Sequence, residues 1–468
     1  MYKLELDAVL QSAHFELIER LLDTSDGSEA SAYMLFGNSE ITADPWSGAP
    51  RLRVVSHKFV PIAETEKVSS SARHVTWSTG GFMRLLSKAK SEGLIPALVH
   101  THPRGVARFS SQDDKNEKGL ARTAFVKGVK GLLSIVIDGG HSIAVRLWTP
   151  DGGCHEIKRV TSVGPKVRFL TSLSLDTADN RVLDRQARLF GSSFNDVISQ
   201  LRIGVVGAGA TGSAVATLLI RLGFGRVLVV DKDVLELSNL NRVHGARRCD
   251  VQAELTKVKN IARLAAETNL GPKVIALQSW AGSQESRDAL KSCDVVFGAT
   301  DDHSGRIFLN RLARFYSIPL IDLGLRMKRH EDGHVDVFGR VTTFVEGHRC
   351  LMCHGIIDPQ KAADEALERD DPDNFHKLKE EAYILGGGDP SPAVVTFTTE
   401  VACMAVNELV AALTSFQGPH GMTPHRVRRF HAQDDRFPSA SPSPDCPICS
   451  QTDVLGRADV EPFLGTVG

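Results

Sequence analysis

The sequence predicts an α/β protein in two parts, an N-terminal α+β unit followed by a longer domain built on a parallel sheet. Three observations carry this expectation. The chain has 468 residues, which at about 100 to 200 residues per domain calls for two or three packed domains. Short β-branched or aliphatic segments at 203–206, 227–230, 295–297 and 320–322 are separated by helix-length stretches, the rhythm of parallel strands with crossover helices. Between about 149 and 176 the text turns irregular, with Pro150 to Gly153 and then Gly164 and Pro165, which marks a boundary.

In the first unit, apolar positions at helical spacing over 7–22 predict a helix, and 32–37 reads as a strand ending on Gly37. A helix is expected over 81–91, and a buried strand over 95–100 runs into a polar turn that carries histidine. A charged helix over 112–126 and strands at 132–137 and 142–148 complete the unit. The expected organisation is a domain over 1–160, a linker over 161–178, a second domain over 179–455 and a tail over 456–468. The acidic stretch 363–382 and the proline-serine stretch 438–444 read as exposed loops.

With 42% hydrophobic and 24% charged residues the chain is neither disordered nor fibrous. Lysine and arginine number 55 against 56 acidic residues, so no net field would hold it on nucleic acid or an anionic membrane. Apolar runs such as 132–137 fall far short of the roughly 20 residues that span a bilayer. The start MYKLELDAV lacks a signal peptide's apolar core, and a cytoplasmic location is expected.

His100, Thr101, His102 and Pro103, six residues, then Ser110 and Asp113 put two imidazoles and a carboxylate within reach of one metal. Three such ligands leave one position on zinc open for water, whose pKa falls toward about 7. Glu29, at the entry to an early strand, is the candidate general acid/base. These residues resemble the JAMM (MPN-type) isopeptidase family over about 150 residues. The resemblance implies His100, His102 and Asp113 as zinc ligands, Glu29 as acid/base, and Ser110 as a helper of the tetrahedral oxyanion.

A second constellation starts at Gly207, Gly209 and Gly212, between a strand and an amphipathic helix, where backbone amides can meet phosphate. Nineteen residues beyond Gly212 come Asp231 and Asp233, placed to hold a ribose. A dehydrogenase would fit that much equally well. The continuation Asn239, Asn241, Arg242, then Lys257, then Asp301, with Arg306 beyond, supplies cations for β,γ-phosphates and a carboxylate for Mg2+. An adenylating site needs these groups and a hydride-transfer site does not.

Here the chain resembles the ThiF/MoeB/ubiquitin-activating enzyme family, from about 181 to 449. That implies a Rossmann-like domain that uses ATP, and a homodimer in which Arg185 reaches the partner's nucleotide. The pairs Cys350/Cys353 and Cys446/Cys449, each with two residues between, favour metal over disulfide in a reducing compartment and sit where the family carries a structural zinc. Family members that pass the acyl group to a thiol carry a cysteine in the crossover segment. Residues 355–392 contain none, and Cys403 is expected to pack inside a helix.

The combined expectation is a bifunctional enzyme of a bacterial ubiquitin-like or sulfur-carrier pathway. It would adenylate the C-terminal carboxylate of a small protein and hydrolyse a peptide or isopeptide bond, passing the adenylate to a separate conjugating enzyme or sulfur donor. The alternative is a peptide-tailoring adenylating enzyme with a fused processing peptidase. Gly386 to Pro392 is a candidate path for an extended peptide.

Overall fold

The structure, a computed structural model, describes residues 4–24, 27–71, 74–171, 180–380, 392–441, 443–450 and 452–460. Gly386 to Ser391 and the end of the tail, 461–468, lie outside the described residues. The N-terminal unit contains β1 (Glu5–Gln11), α1 (Ser12–Arg20), β2 (Ser31–Ile41), β3 (Arg51–Pro61), β4 (Lys67–Ser71), β5 (His74–Trp77), α2 (Thr79–Glu92), β6 (Ile95–His102), α3 (Ser111–Val126), β7 (Leu132–Asp138), β8 (Ile143–Trp148), β9 (Cys154–Glu156), β10 (Arg159–Val163) and β11 (Val167–Phe169). Nine strands form one sheet in the order β11-β10-β1-β3-β2-β6-β7-β8-β9, with β4 and β5 a separate ribbon.

Three stretches differ from the sequence expectation. The helix expected over 7–22 begins only at Ser12, because residues 5–11 form a strand parallel to both β3 and β10. A strand buried on both faces shows a continuous apolar run, which spacing alone does not separate from a helix. Part of the 161–178 segment read as linker is folded, since β10 and β11 extend this sheet. The acidic stretch 363–382 is largely helical, running from Pro359 under an Asp358 cap that accepts from the Gln360 amide at 3.0 Å. Proline at a first helical turn and alanine, leucine and glutamate after it explain the helix.

The second domain holds α4 (Asp184–Phe190), α5 (Ser192–Gln200), β12 (Arg202–Val206), α6 (Ala210–Leu222), β13 (Arg226–Val230), α7 (Arg248–Gln252), α8 (Lys257–Thr268), β14 (Lys273–Leu277), α9 (Gln284–Lys291), β15 (Val295–Gly298), α10 (His303–Tyr316), β16 (Leu320–Arg329), β17 (Val335–Phe344), α11 (Pro359–Asp370), α12 (Pro372–Glu380), α13 (Val395–Thr414), β18 (His425–Arg429) and β19 (Asp434–Arg436). The sheet order is β14-β13-β12-β15-β16-β17-β18-β19. Its first five strands are parallel, and the antiparallel extension starts at β17. α13 is the one described helix with the length and apolar character to cross a membrane, yet 61% of that window is buried, and its residues join the core with α6 and β12.

The first domain docks on the amino ends of the parallel strands. Asp294, just before β15, accepts from Arg53 at 3.3 Å, from Arg159 at 2.5 Å and from the Arg202 amide at 2.8 Å. The Trp46 indole donates to the Lys273 carbonyl, at the start of β14, at 3.1 Å. Residues 456–460 thread the seam: Asp459 accepts from Tyr316 Oη at 2.6 Å and from the Glu40 amide at 2.6 Å, and it pairs with Lys291 at 3.2 Å. A parallel sheet opens its ligand crevice at the carboxyl ends, so docking at the amino ends leaves that crevice uncovered.

Candidate active sites

β6 carries His100 and ends on His102, two residues apart and therefore on one face of the strand, and α3 presents Asp113 in its first turn. His100 Nε2 lies 3.5 Å from Asp113 Oδ1, and His102 Nε2 lies 3.8 Å from Asp113 Oδ2 and 3.9 Å from Glu29 Oε1. The donor atoms of His100, His102 and Asp113 all fall within 4.8 Å of one another. His102 Nδ1 is 3.2 Å from the Val106 carbonyl, a contact that places the ring proton on Nδ1 and leaves Nε2 a lone pair. His100 Nε2 is buried with no hydrogen-bond partner, as a nitrogen meant for a metal would be. These residues fit a zinc ion.

Ser110 caps α3: its hydroxyl accepts from the Asp113 amide at 3.2 Å and donates to Asp113 Oδ2 at 2.7 Å, so the serine orients the third ligand. Burial opposes ionisation of Asp113, but the His100 imidazole beside it and the hydrogen bonds from Ser110 outweigh burial and hold the carboxyl well below the usual range. Four supporting residues carried no signal in the motif. Asp138 accepts from the Ala107 amide at 2.9 Å and so shapes the 103–109 loop. Arg146 stacks on Phe109 at 3.8 Å and pairs with Glu117 at 2.7 Å. Asp138 and Arg146 lie on β7 and β8, away from the motif, so only the fold brings them to Ala107 and to Phe109 and Glu117.

At the carboxyl ends of β12, β13, β15 and β16 a cavity of about 480 Å³ opens, within the usual range for small-molecule sites. Gly207, Gly209, Asp231, Asp233, Asn239, Arg242, Lys257, Asp301 and Arg306 line it. Gly207 has a φ of +91°, and a Cβ there would stand 2.6 Å from the Ala299 carbonyl oxygen. Gly212 does not line the cavity; its missing side chain lets α6 approach the Gly207 carbonyl, which a Cβ would meet at 1.8 Å. At Gly209, which caps α6, a Cβ would meet nothing within 4 Å.

Asp231 accepts from the Ala208 amide at 2.6 Å and the Asp233 amide at 2.8 Å, tying β13 to the glycine turn. Burial pushes its carboxyl up, with Lys257 opposing. Lys257 pairs with Asp233 at 2.6 Å; burial lowers its ammonium, but Asp231 and Asp233 outweigh that and raise it. Arg306 lines the cavity and donates to the Thr300 carbonyl at 2.6 Å. Asn241 stays outside and accepts from Arg242 at 3.3 Å. Arg185 lies exposed on α4, away from the cavity of its own chain. Trp280 is a wall residue the motif reading missed: its indole donates to Asp302, the cap of α10, at 3.2 Å.

Cys350, Cys353, Cys446 and Cys449 converge with their sulfurs within 4.8 Å of one another. The Cys350 and Cys446 sulfurs are 3.5 Å apart, beyond the roughly 2.05 Å of a disulfide. A closed four-thiol set of this kind suits a tetrahedral zinc. Cys403 sits half-buried in α13, burial pushes its thiol up, and among the described residues no cysteine lines the cavity.

A model of the ThiF family matches residues 183–450. The chain belongs to the ThiF family. Residues 12–149 match prokaryotic homologs of the JAB domain, so the chain joins a JAB domain to a ThiF domain, as the motifs predict. Membership implies ATP use, and the JAB match implies zinc. The SAMP-activating enzyme E1 of Haloferax volcanii is 30% identical over 190 residues, 39% of this chain and 64% of that protein. The sulfur carrier protein ThiS adenylyltransferase of Bacillus subtilis is 28% identical over 164 residues, 35% of this chain and 46% of that protein. The chain therefore matches less than two thirds of the length of either relative. A solved structure of E. coli MccB with ATP shares 16% identity at a TM-score of 0.44, covering 58% of this chain and 75% of that one.

Proposed function

We propose that the chain adenylates the C-terminal carboxylate of a ubiquitin-like or sulfur-carrier protein and, in its other domain, hydrolyses a peptide or isopeptide bond beside such a tail, within a bacterial pathway. The observation that carries this reading is the gathering of Lys257, Arg242 and Asp301 around one cavity with the glycine turn. Of the two relatives reported above, one is named as an activating enzyme E1 and the other for a sulfur carrier protein.

In the adenylating half, a carboxylate oxygen attacks the α-phosphorus of ATP, the bond from that phosphorus to its bridging oxygen breaks, and pyrophosphate leaves with the electron pair. Arg242 and Lys257 neutralise the charge that builds on the leaving group, and Asp301 holds Mg2+. Asp231 and Asp233 face the ribose. The acyl-adenylate then passes to a nucleophile on a separate conjugating enzyme or to a sulfur donor, since 355–392 carries no thiol to receive it. A second copy of the chain covers the exposed Val182, Leu189 and Phe416 and brings Arg185 to its partner's nucleotide.

In the hydrolytic half, His100, His102 and Asp113 hold zinc, which supplies an acidified water when bound. Glu29, 7% exposed and beside His102, takes a proton at its carboxylate and returns it to the leaving amine. Cys350, Cys353, Cys446 and Cys449 hold a second, structural zinc. The test is ATP–pyrophosphate exchange with a ubiquitin-like protein ending in an exposed glycine. Exchange that requires this protein and falls about 10²- to 10³-fold in Lys257→Met supports the reading. Exchange driven by a short peptide alone would instead favour peptide tailoring.

A further inference from the structure

The crossover segment 355–392 carries no thiol, yet its first helix, α11, reaches a residue that lines the cavity. α11 docks on the first turn of α10. The Asp358 amide donates to His303 Nδ1 at 3.0 Å, Glu365 accepts from the Ser304 amide at 2.8 Å, and Arg369 donates to the Ser304 hydroxyl at 3.3 Å. The Arg369 guanidinium also sits over the Trp280 ring, 3.8 Å from its centroid, where a cation meets the negative face of an indole. Asp370 pairs with Nε of the same guanidinium at 3.1 Å and so limits its rotation.

Both routes out of Arg369 end on one carboxylate. The Ser304 hydroxyl donates to Asp302 Oδ2 at 3.2 Å, and the Trp280 indole donates to the same oxygen at 3.2 Å. The Gly305 amide reaches that oxygen at 2.9 Å, and the Thr300 hydroxyl donates to Oδ1. Burial opposes ionisation of Asp302, but these hydrogen bonds outweigh it and hold its carboxyl below the ordinary value. Asp301, its neighbour in the chain, is different. It is exposed and lines the cavity, and among the described residues its carboxylate makes no hydrogen bond or ion pair. Its backbone is held instead, since the Asp301 carbonyl accepts from Arg306 at 3.2 Å. A carboxylate left open on a backbone held at both neighbours is prepared to meet a cation at little further ordering cost.

We propose that Arg369 is a positioning residue of the adenylating site: acting through Ser304 and Trp280, it fixes Asp302 and with it the direction in which Asp301 meets the magnesium of MgATP. The inference rests on the reading of Asp301 as the Mg2+ carboxylate. It gives the thiol-free crossover segment a part in nucleotide binding and makes Trp280 the link between α11 and the cavity. Without Arg369 the serine hydroxyl and the indole lose the group that orients them, and Asp302 is held by the α10 cap and Thr300 alone.

The test is calorimetric titration of the full chain with ATP, once in excess Mg2+ and once in EDTA, for the wild type, Arg369→Met and Trp280→Phe. Arg369→Met keeps the apolar stem and removes the donors, while Trp280→Phe keeps a ring under the guanidinium and removes the indole N–H. Each is expected to weaken MgATP binding about five- to tenfold, the order of one lost hydrogen bond, whereas ATP in EDTA should bind all three proteins alike. The Arg369 side chain is 27% exposed, so its loss should leave folding close to wild type. Trp280→Phe gives the same comparison should Arg369→Met melt early. Unchanged MgATP affinity in both variants, or equal weakening with and without Mg2+, would overturn the proposal. Binding is read without turnover, so the expected pattern in a chain that exchanges no pyrophosphate would support the positioning role while contradicting adenylation.

Discussion

Gly207→Ala and Gly209→Ala make opposite demands on one turn. At Gly207 the φ of +91° costs an L-residue about 1–2 kcal/mol. The new Cβ also falls 2.6 Å from the Ala299 carbonyl and 2.9 Å from the Thr300 amide, backbone atoms that yield only by shifting β15 away from β12. Overpacking of that kind adds about 1–3 kcal/mol, so the melting temperature should fall by roughly 5–15 °C. At Gly209 φ is −72° and ψ is −155°, open to alanine, and the Cβ meets nothing. Loss of a glycine cap and the lower entropy of the unfolded chain nearly cancel, each within about 1 kcal/mol. The added methyl stands where the amides of α6 would meet phosphate. Losing one such charged hydrogen bond costs about 1.5–3 kcal/mol, a weakening of ATP binding of roughly ten- to a hundredfold. Melting curves and calorimetric titration with MgATP read the two effects separately. A Gly209→Ala protein that binds MgATP like the wild type would refute the placement of the phosphates over this turn.

Three further outcomes follow from the same geometry. Asp113→Asn should lower zinc content by one per chain in elemental analysis while the four-cysteine site keeps its own; unchanged content would remove the JAB trio as a zinc site. Asp294→Ala leaves Arg53, buried at 2% exposure, without its carboxylate, and should cost about 3–5 kcal/mol in denaturant unfolding; an unchanged midpoint would show that the domain seam does not depend on this pair. Burial holds His14, His348 and His425 at about 4, below the ordinary 6.5. Because the folded values lie below the unfolded one, the unfolded chain binds more protons between them, and stability falls as pH drops from 6.5 toward 4. His14→Gln should flatten that fall in melts taken across this range, and an unaltered slope would contradict it.

What was legible in the sequence was local. His100, His102, Ser110 and Asp113 span one strand, one turn and one helix start, so their spacing already encodes their meeting. Gly207 to Gly212 and Asp231 likewise sit on adjacent strand ends. The seam was not legible, because Arg53 meets Asp294 and Glu40 meets Asp459 across 241 and 419 residues. β1 misled for a physical reason: paired on both edges and buried, it shows an apolar run with no period of its own. Gly212 and Asn241 belong to the motif by spacing, and in the fold Gly212 packs α6 against the turn while Asn241 accepts from Arg242. Trp280 and Asp138 belong to no motif, and only the fold brings them to their sites.

The central claim is that this chain energises a protein's terminal carboxylate without holding it on a thiol of its own. Intact-mass spectrometry of a ubiquitin-like protein incubated with the chain, ATP and Mg2+ tests it most directly. The expected result is a small protein heavier by an adenylate and an enzyme of unchanged mass. A thiol-sensitive adduct of the small protein on this chain would contradict the account.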